Sequence, residues 1–527
     1  MNKKFLIFLL LAFFIKEFIW IILVPLWHFP DEQAHFAQVA YLAEKGNSPN
    51  GDNNDLTKEI YLSEELLGTK RDRYGNNKFT FHPEYRIPYS NNLTGLYERE
   101  ILFLAKDLKN RQMVGKEASR YPPLYYILPA VLYKIFYFNN LINRVFLARI
   151  FQIIFYIGTV YISFKTVKVI FSGNSFLSYS LTLLVAFQPM FSFVSAGINS
   201  DNISNFIFSV YLFISLKLIK SVFSRKYLLA LILTTLLGIY AKPQFYITLP
   251  LSFLLIFYKI ITLKTGPEKR FFKAAIYMFI IFLFLTFFSV FRLGPQILLS
   301  KLAYGFDLPK FLINLKTYAF PHLYREVLPW YWGVYNWLGV TYPRIVHRII
   351  NWLILLSLIG FIFFFIRNRQ KINRWPVNGI IYLLFANLAF FLGVYLFDWL
   401  QFVESGFKFH LGVQGRYFFP LIISHLLFIL IGWRELFQIF PLLLPLATKL
   451  LVVLMFILHW YALYLIALTY YDLSLLSVFI IQASQYKPWF FKGNLLLTQI
   501  FFSLTVNLAF LLKYLKIGNL YGQDKNR

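Results

Sequence analysis

The sequence predicts an all-α polytopic membrane protein with about 12 transmembrane helices, and three observations predict it. Of 527 residues, 58% are hydrophobic and 21% aromatic, while only 14% are charged. The mean hydropathy of +0.58 lies far outside an ordinary soluble composition. Apolar windows of the length needed to cross a hydrocarbon core, about 20 residues, recur along the whole chain. Cysteine is absent, which excludes a disulfide framework, a thiolate metal site and a thiol nucleophile.

The first window, 5–27, is too long for a removable signal peptide and lacks its small-residue cleavage site, so it reads as a retained span. The other windows are 146–168, 175–198, 202–217, 227–240, 244–261, 273–292, 347–366, 376–397, 417–433, 446–468 and 495–513. The segment PPLYYILPAVLYKIFYF (122–138) is short, aromatic and broken by Pro122, Pro123 and Pro129. It reads either as a thirteenth crossing or as a juxtamembrane or re-entrant helix. Loop charge favours the second reading. Without that crossing, KTVK (165–168), KLIKSVFSRK (217–226), KTGPEKRFFK (264–273), RNRQKINR (367–374) and the C-terminal tail share one side with the N-terminal NKK. Basic short loops mark the cytoplasmic side, so both termini are expected there, in the cell (inner) membrane.

The net charge of +28 raises the question of nucleic acid. Residues 28–121 hold 14 of the 24 acids and 13 of the 52 bases, so this segment is near neutral. The excess sits in short loops, which is a membrane-topology signal, and no nucleic-acid partner is expected. The outer side then receives 28–145, a large first loop with juxtamembrane helices, and the loops 293–346, 398–416 and 469–494. Function is expected among these long, chemically mixed segments. The division expected is a module at 1–440, followed by C-terminal helices and a cytoplasmic tail at 441–527. Short helices and loops are expected within 47–115.

Directly after the first span stands HFPDEQAHFAQVAYLAEKG (28–46). It reads as a helix with Asp31 near its start, Glu32 in the first turn and Gly46 as its C-cap. Asp31, His35 and Gln38 share one face of that helix. Asp31 could serve only as an N-cap, yet its place at the membrane surface also suits a lipid-linked substrate. Three further features meet the same boundary. Asp201 lies in the turn GINSDNISNF, where N-capping is the alternative. Arg120 in ASRYPPLYY precedes the proline segment, where anchoring to lipid head groups is the alternative. Arg416 in HLGVQGRYFFP suits bidentate phosphate recognition, with Gly412 and Gly415 allowing close backbone approach; snorkelling is its alternative. Gln414 and Tyr417 flank it. Lys242 in YAKPQF is a weaker phosphate candidate, and the aromatic segment 327–343 suits either sugar stacking or an interfacial position. Lys16 and Glu17, inside the first span, are expected to face other helices.

Together PDE after the first span, YPPLYY, FQPMFSFVSAGINSD, AKPQF and QGRYFFP resemble a family of predicted bacterial membrane proteins of uncharacterised function, over about 20–430. That family is related to the GT-C superfamily of integral membrane glycosyltransferases. The resemblance implies a GT-C-type fold and a sugar donor carried on a polyprenyl phosphate. It implies catalytic roles for Asp31, its neighbour Glu32 and Asp201. Where related aminoarabinose transferases often carry lysine before the paired prolines, this chain has Tyr121, with Arg120 one place earlier.

The expected reaction is an inverting transfer, for cell-envelope glycan or glycolipid modification, to a hydroxyl of a glycan, lipid or protein acceptor. Asp31 would act as base, and Arg416, Arg120 and Lys242 would hold the donor phosphate. His35, Gln38, Gln414 and Tyr417 would contact substrate. No cofactor is assigned; a divalent cation held by Asp31 with Glu32 and Asp201 is compatible with the residues, though no metal motif is present. Two other readings are a polymerase or ligase of lipid-linked oligosaccharides, and a transporter or lipid flippase with proton-coupled carboxylates.

Overall fold

The computed structural model describes residues 3–47, 54–72, 75–87, 93–104, 111–114, 121–172, 174–221, 224–262, 277, 307–372 and 374–517. Helix α1 (Lys3–Leu23), apolar apart from Lys3, Lys4 and the adjacent Lys16 and Glu17, stops ahead of Pro25. The corner 24–31 turns the chain into α2 (Glu32–Lys45), which ends where Gly46 takes a left-handed φ of 75° and returns its N–H to Leu42 O. Strand β1 (Asn54–Thr57) pairs antiparallel with β2 (Arg111–Val114), and α3 (Lys58–Leu67) and α4 (Leu93–Phe103) lie between them in sequence. That small sheet is an addition to the helices and loops expected for this segment.

The helices α5 (Leu124–Ile135), α6 (Leu141–Ile170), α7 (Ser175–Ala186), α8 (Pro189–Ala196), α9 (Asp201–Lys220), α10 (Arg225–Ala241) and α11 (Thr248–Thr262) follow. Among the described residues nine helices are long and apolar enough to cross a membrane, or ten when α7 and α8 count as one span bent by 60°. The expected window 227–240 corresponds to α10, whose 17 residues fall short of those nine. Of the window 273–292, all but residue 277 lies outside the described residues. At 1.5 Å per residue, the 12 residues of α5 run about 18 Å, short of a hydrocarbon core of about 30 Å. The aromatic segment 327–343 is mostly interior: Tyr331, Trp332, Tyr335 and Tyr342 are buried around a two-residue hairpin pairing, Val334–Tyr335 with Val340–Thr341.

The spans pack through small residues. A Cβ on Gly360, in the helix Arg344–Arg367, would lie 2.0 Å from the carbonyl oxygen of Gly432, in the helix Ile422–Leu436. A Cβ on Gly432 would meet Ser357 O at 1.8 Å. Only glycine lets these backbones meet, the usual way for helices to gain van der Waals contact without a hydrophobic drive between them.

The bend between α7 and α8 is stabilised from α1. Pro189 opens α8, and the break leaves carbonyls of α7 without helical partners. Lys16 Nζ donates to Ala186 O and to Ser192 Oγ, each at 2.7 Å, and Tyr156 OH donates to the same carbonyl at 2.7 Å. Glu17 lies 3.1 Å from Lys16, both fully buried. The two charges do face other helices, and Lys16 acts as a C-cap supplied from a distance. Removing one partner of a buried pair leaves the other charge uncompensated, at about 3–5 kcal/mol. Lys16→Leu is therefore expected to lower the unfolding temperature in detergent sharply, and Lys16→Leu/Glu17→Leu to recover part of the loss. Equal loss in both variants would show that the carbonyl cap, rather than the pair, is what matters.

Candidate functional site

The site forms at the corner between α1 and α2. Arg149, on α6, points its guanidinium into that corner. It donates to Val24 O at 2.9 Å and Pro25 O at 2.8 Å, carbonyls beyond the end of α1. The same group grips Glu32 at two points, Nε to Oε1 at 2.7 Å and Nη2 to Oε2 at 2.6 Å. Both side chains are fully buried. The Glu32 carboxylate, expected to take part in the reaction, is occupied by this fork and anchors α2 instead.

Asp31 is thereby set in a left-handed conformation, φ 56° and ψ 18°, at the N-cap position of α2. It makes no capping bond, which removes the N-cap as the reason for a carboxylate there. Its oxygens are taken by two guanidinium groups: Arg71 Nη1 at 2.9 Å from Oδ1, and Arg416 Nη2 at 2.5 Å from Oδ2. Asp201 is the first residue of α9, and its carboxylate is ion-paired to Lys242, with Arg416 Nε 3.9 Å away. Four of the expected residues, 385 positions apart at the extreme, thus meet through Arg416. Arg120 lies outside the described residues. Tyr121, beside it in sequence, stacks on His35 with ring centroids 5.5 Å apart. Lys242 sits 5.8 Å from the Tyr121 ring and 5.7 Å from the Tyr417 ring.

His35 Nδ1 lies 2.7 Å from Tyr126 OH, and Gln38, one turn on, is buried. Gln414 accepts the Tyr417 N–H on its carbonyl, which starts the 3-10 turn carrying Arg416. Gly415 does bring backbones close, but to Tyr331: a Cβ there would lie 2.2 Å from Tyr331 N. The close approach at Gly415 is thus used by the protein itself to seat the Arg416 turn, whereas a Cβ on Gly412 would meet nothing within 4 Å.

Burial alone would raise the Asp31 carboxyl, and the Arg416 and Arg71 guanidinium groups outweigh it, holding it well below the ordinary carboxylate range. Burial lowers His35 to about 4 against the pull of Asp31 and Asp201, so its imidazole is neutral at pH 7. Burial pushes Tyr121 up to about 12 and Glu64, near Arg71, up to about 8. Among the described residues, three cations, Arg71, Lys242 and Arg416, thus gather on the two carboxylates Asp31 and Asp201 beside a neutral imidazole. Each of the three expected carboxylates already holds a cation of its own, so this arrangement suits a divalent metal poorly. Among the described residues no cluster of three His, Asp or Glu capable of holding a metal is present.

A predominantly helical membrane protein with an ionic cluster at the end of its first span is thus defined. The chain belongs to the family described as predicted membrane protein DUF2142, which matches residues 13–425. That range includes Asp31, Arg71, Arg149, Asp201, Lys242 and Arg416. None of the curated proteins matches the chain.

Two arginines escaped sequence reading. Arg71 lies in TKRDRYG, a stretch that looks like an ordinary solvated loop, and Arg149 is a lone charge near the start of an apolar run, where snorkelling is the default reading. One consequence is measurable. A histidine buried neutral binds fewer protons than in the unfolded chain between pH 6.5 and about 4, so stability falls as pH drops through that window. His35→Gln is expected to flatten the decline in unfolding temperature over that range, a difference on the order of 3 kcal/mol. An unchanged slope would place the neutral state of His35 elsewhere than in this site.

Proposed function

We propose that the protein is a membrane glycosyltransferase, moving a sugar from a polyprenyl-phosphate donor to an acceptor hydroxyl with inversion. The setting proposed is the extracytoplasmic face of the cell membrane, in a twelve-span topology with both termini inside, and the product a modified cell-envelope glycan or glycolipid. The observation that carries the reading is the convergence of Arg416, Arg71 and Lys242 on Asp31 and Asp201 at the membrane exit, donors of the kind that bind a phosphate. The resemblance to GT-C enzymes, in which an acidic residue after the first span is catalytic, agrees with that placement.

In this reading the donor phosphate competes with Asp31 for Arg416 and is joined by Lys242 and Arg71. As the guanidinium turns toward phosphate, Asp31 loses the contact that lowers its basicity most. The acceptor oxygen attacks the anomeric carbon, its proton passes to Asp31, and the bond from that carbon to the phosphate oxygen breaks. The electron pair leaves with the lipid phosphate, whose charge the three cations stabilise. Glu32 and Arg149 hold the corner and touch no reacting atom. A lipid-linked oligosaccharide polymerase or ligase would use the same chemistry on a larger group.

A second reading, a transporter or flippase, draws on the bent α7–α8 span and the buried Lys16–Glu17 pair, since broken helices frame many transport sites. The experiment is transfer of radiolabelled sugar from membranes supplied with polyprenyl-phosphate sugars, at matched amounts of folded protein. Asp31→Asn is expected to lower turnover about 10²- to 10⁴-fold, and Arg416→Ala to lose donor affinity as well as rate. No Asp31-dependent transfer from any of a panel of donors would sink the glycosyltransferase reading and favour the transporter.

A further inference from the structure

Helix α9 carries a stripe of four residues on the face that Asp201 turns to Lys242 and Arg416. Ser204, Asn205 and Phe208 follow Asp201 at three, four and seven places, the spacing of one helical face. Ser204 and Asn205 are each 1% exposed. Neither the Ser204 hydroxyl nor either amide atom of Asn205 finds a hydrogen-bond partner among the described residues. The same holds for the buried Oε1 of Gln244, two residues after Lys242, and for Arg416 Nε.

Other polar groups of the helix are met locally, apart from the buried Oδ1 of Asn202. Ser209 Oγ donates to Asn205 O at 2.7 Å, and Ser215 Oγ to Tyr211 O at 2.9 Å, the usual back-bond of a buried helical serine. The Asn202 amide donates to Gly197 O at 2.8 Å. Ser204 makes no such bond, and Asn205 makes no helix-to-helix bond of the kind that normally keeps asparagine in a span. Leaving a buried amide or hydroxyl unmet costs about 1–3 kcal/mol, so selection for stability alone would place Ala or Leu here. Below the polar stripe the face turns apolar: the Phe208 ring lies 5.4 Å from Phe245 and 5.2 Å from Phe390.

We propose that Ser204, Asn205 and Gln244 form a recognition wall for the hydroxyl groups of the sugar carried on the donor phosphate, one turn along α9 from the Asp201–Lys242 pair. The inference rests on the donor reading above. Hydroxyls both donate and accept, as Asn205 and Ser204 do. A phosphate accepts only, and the acceptor oxygens of Asn205 and Gln244 would repel it. Four residues of α-helix advance about 6 Å, close to the width of one pyranose ring.

The test compares the affinity of purified protein for a bare polyprenyl phosphate and for the same lipid bearing a hexose, over a panel of hexoses. Wild type is expected to bind at least one glycosylated lipid more tightly than the bare one. Asn205→Leu is expected to unfold at the same temperature or higher, to keep its affinity for bare lipid, and to lose roughly tenfold in affinity for the preferred glycosylated lipid, the loss of one or two hydrogen bonds. Gln244→Ala, in the turn, should show the same selective loss. If Asn205→Leu is strongly destabilised, or if both variants keep the sugar-dependent gain, the wall is structural and the inference fails while the donor reading stands. Equal wild-type affinity for bare and glycosylated lipids has the same meaning. If wild type binds neither lipid, the donor reading fails and takes the inference with it.

Discussion

The fork between Arg149 and Glu32 is the contact on which the site depends. A guanidinium buried in a membrane protein is costly unless each of its donors is met, and here α6 supplies one that is met by a carboxylate and by carbonyls of the corner. The result is a rigid join between the end of α1 and the start of α2. Asp31 is the residue just before that join, and its left-handed backbone, which costs a non-glycine residue about 1–2 kcal/mol, is held by the contact. The neighbouring acids of PDE thus divide the work: Glu32 fixes the corner, which leaves Asp31 to face outward.

Around Asp31 the molecule gathers charge from remote parts of the chain. Arg71 comes from the first loop, Asp201 from the start of α9, Lys242 from the turn after α10, and Arg416 from a 3-10 turn seated by Gly415 against Tyr331. Two carboxylates keep these three cations in place, and under the proposed function an incoming phosphate shares them. A phosphate that engages Arg416 necessarily weakens its hold on Asp31. Binding of an anion and the basicity of the carboxylate are therefore linked by mass action rather than by any large movement.

The fold was legible where one physical rule dominates. The long apolar runs mark the spans, and α2 ends at Gly46 because a left-handed residue was needed there. The bend at Pro189 was less legible, since 175–198 reads as one apolar window; what permits it is Lys16, 170 residues from the carbonyl it caps. Within the site, Asp31, Asp201, Lys242 and Arg416 could be named because each stands at a membrane boundary where a charge has no solubility role. Their pairing could not be named, because contact between positions so far apart is a property of packing. Arg71 and Arg149 were missed for opposite reasons, one resembling a solvated loop and the other a snorkelling anchor. Asn205 leaves no trace in sequence at all, being one polar residue in a span that tolerates several.

The central claim, that donor phosphate and Asp31 share Arg416, can be tested on the carboxyl itself. Infrared titration of its protonated C=O stretch, with Asp31→Asn as the subtraction blank, would be carried out with and without a saturating polyprenyl phosphate. The account predicts that the lipid phosphate moves Asp31 protonation to higher pH. A protonation range that is unchanged or lower with the lipid bound would contradict it, because the phosphate would then lie too far from Arg416 to serve as the leaving group.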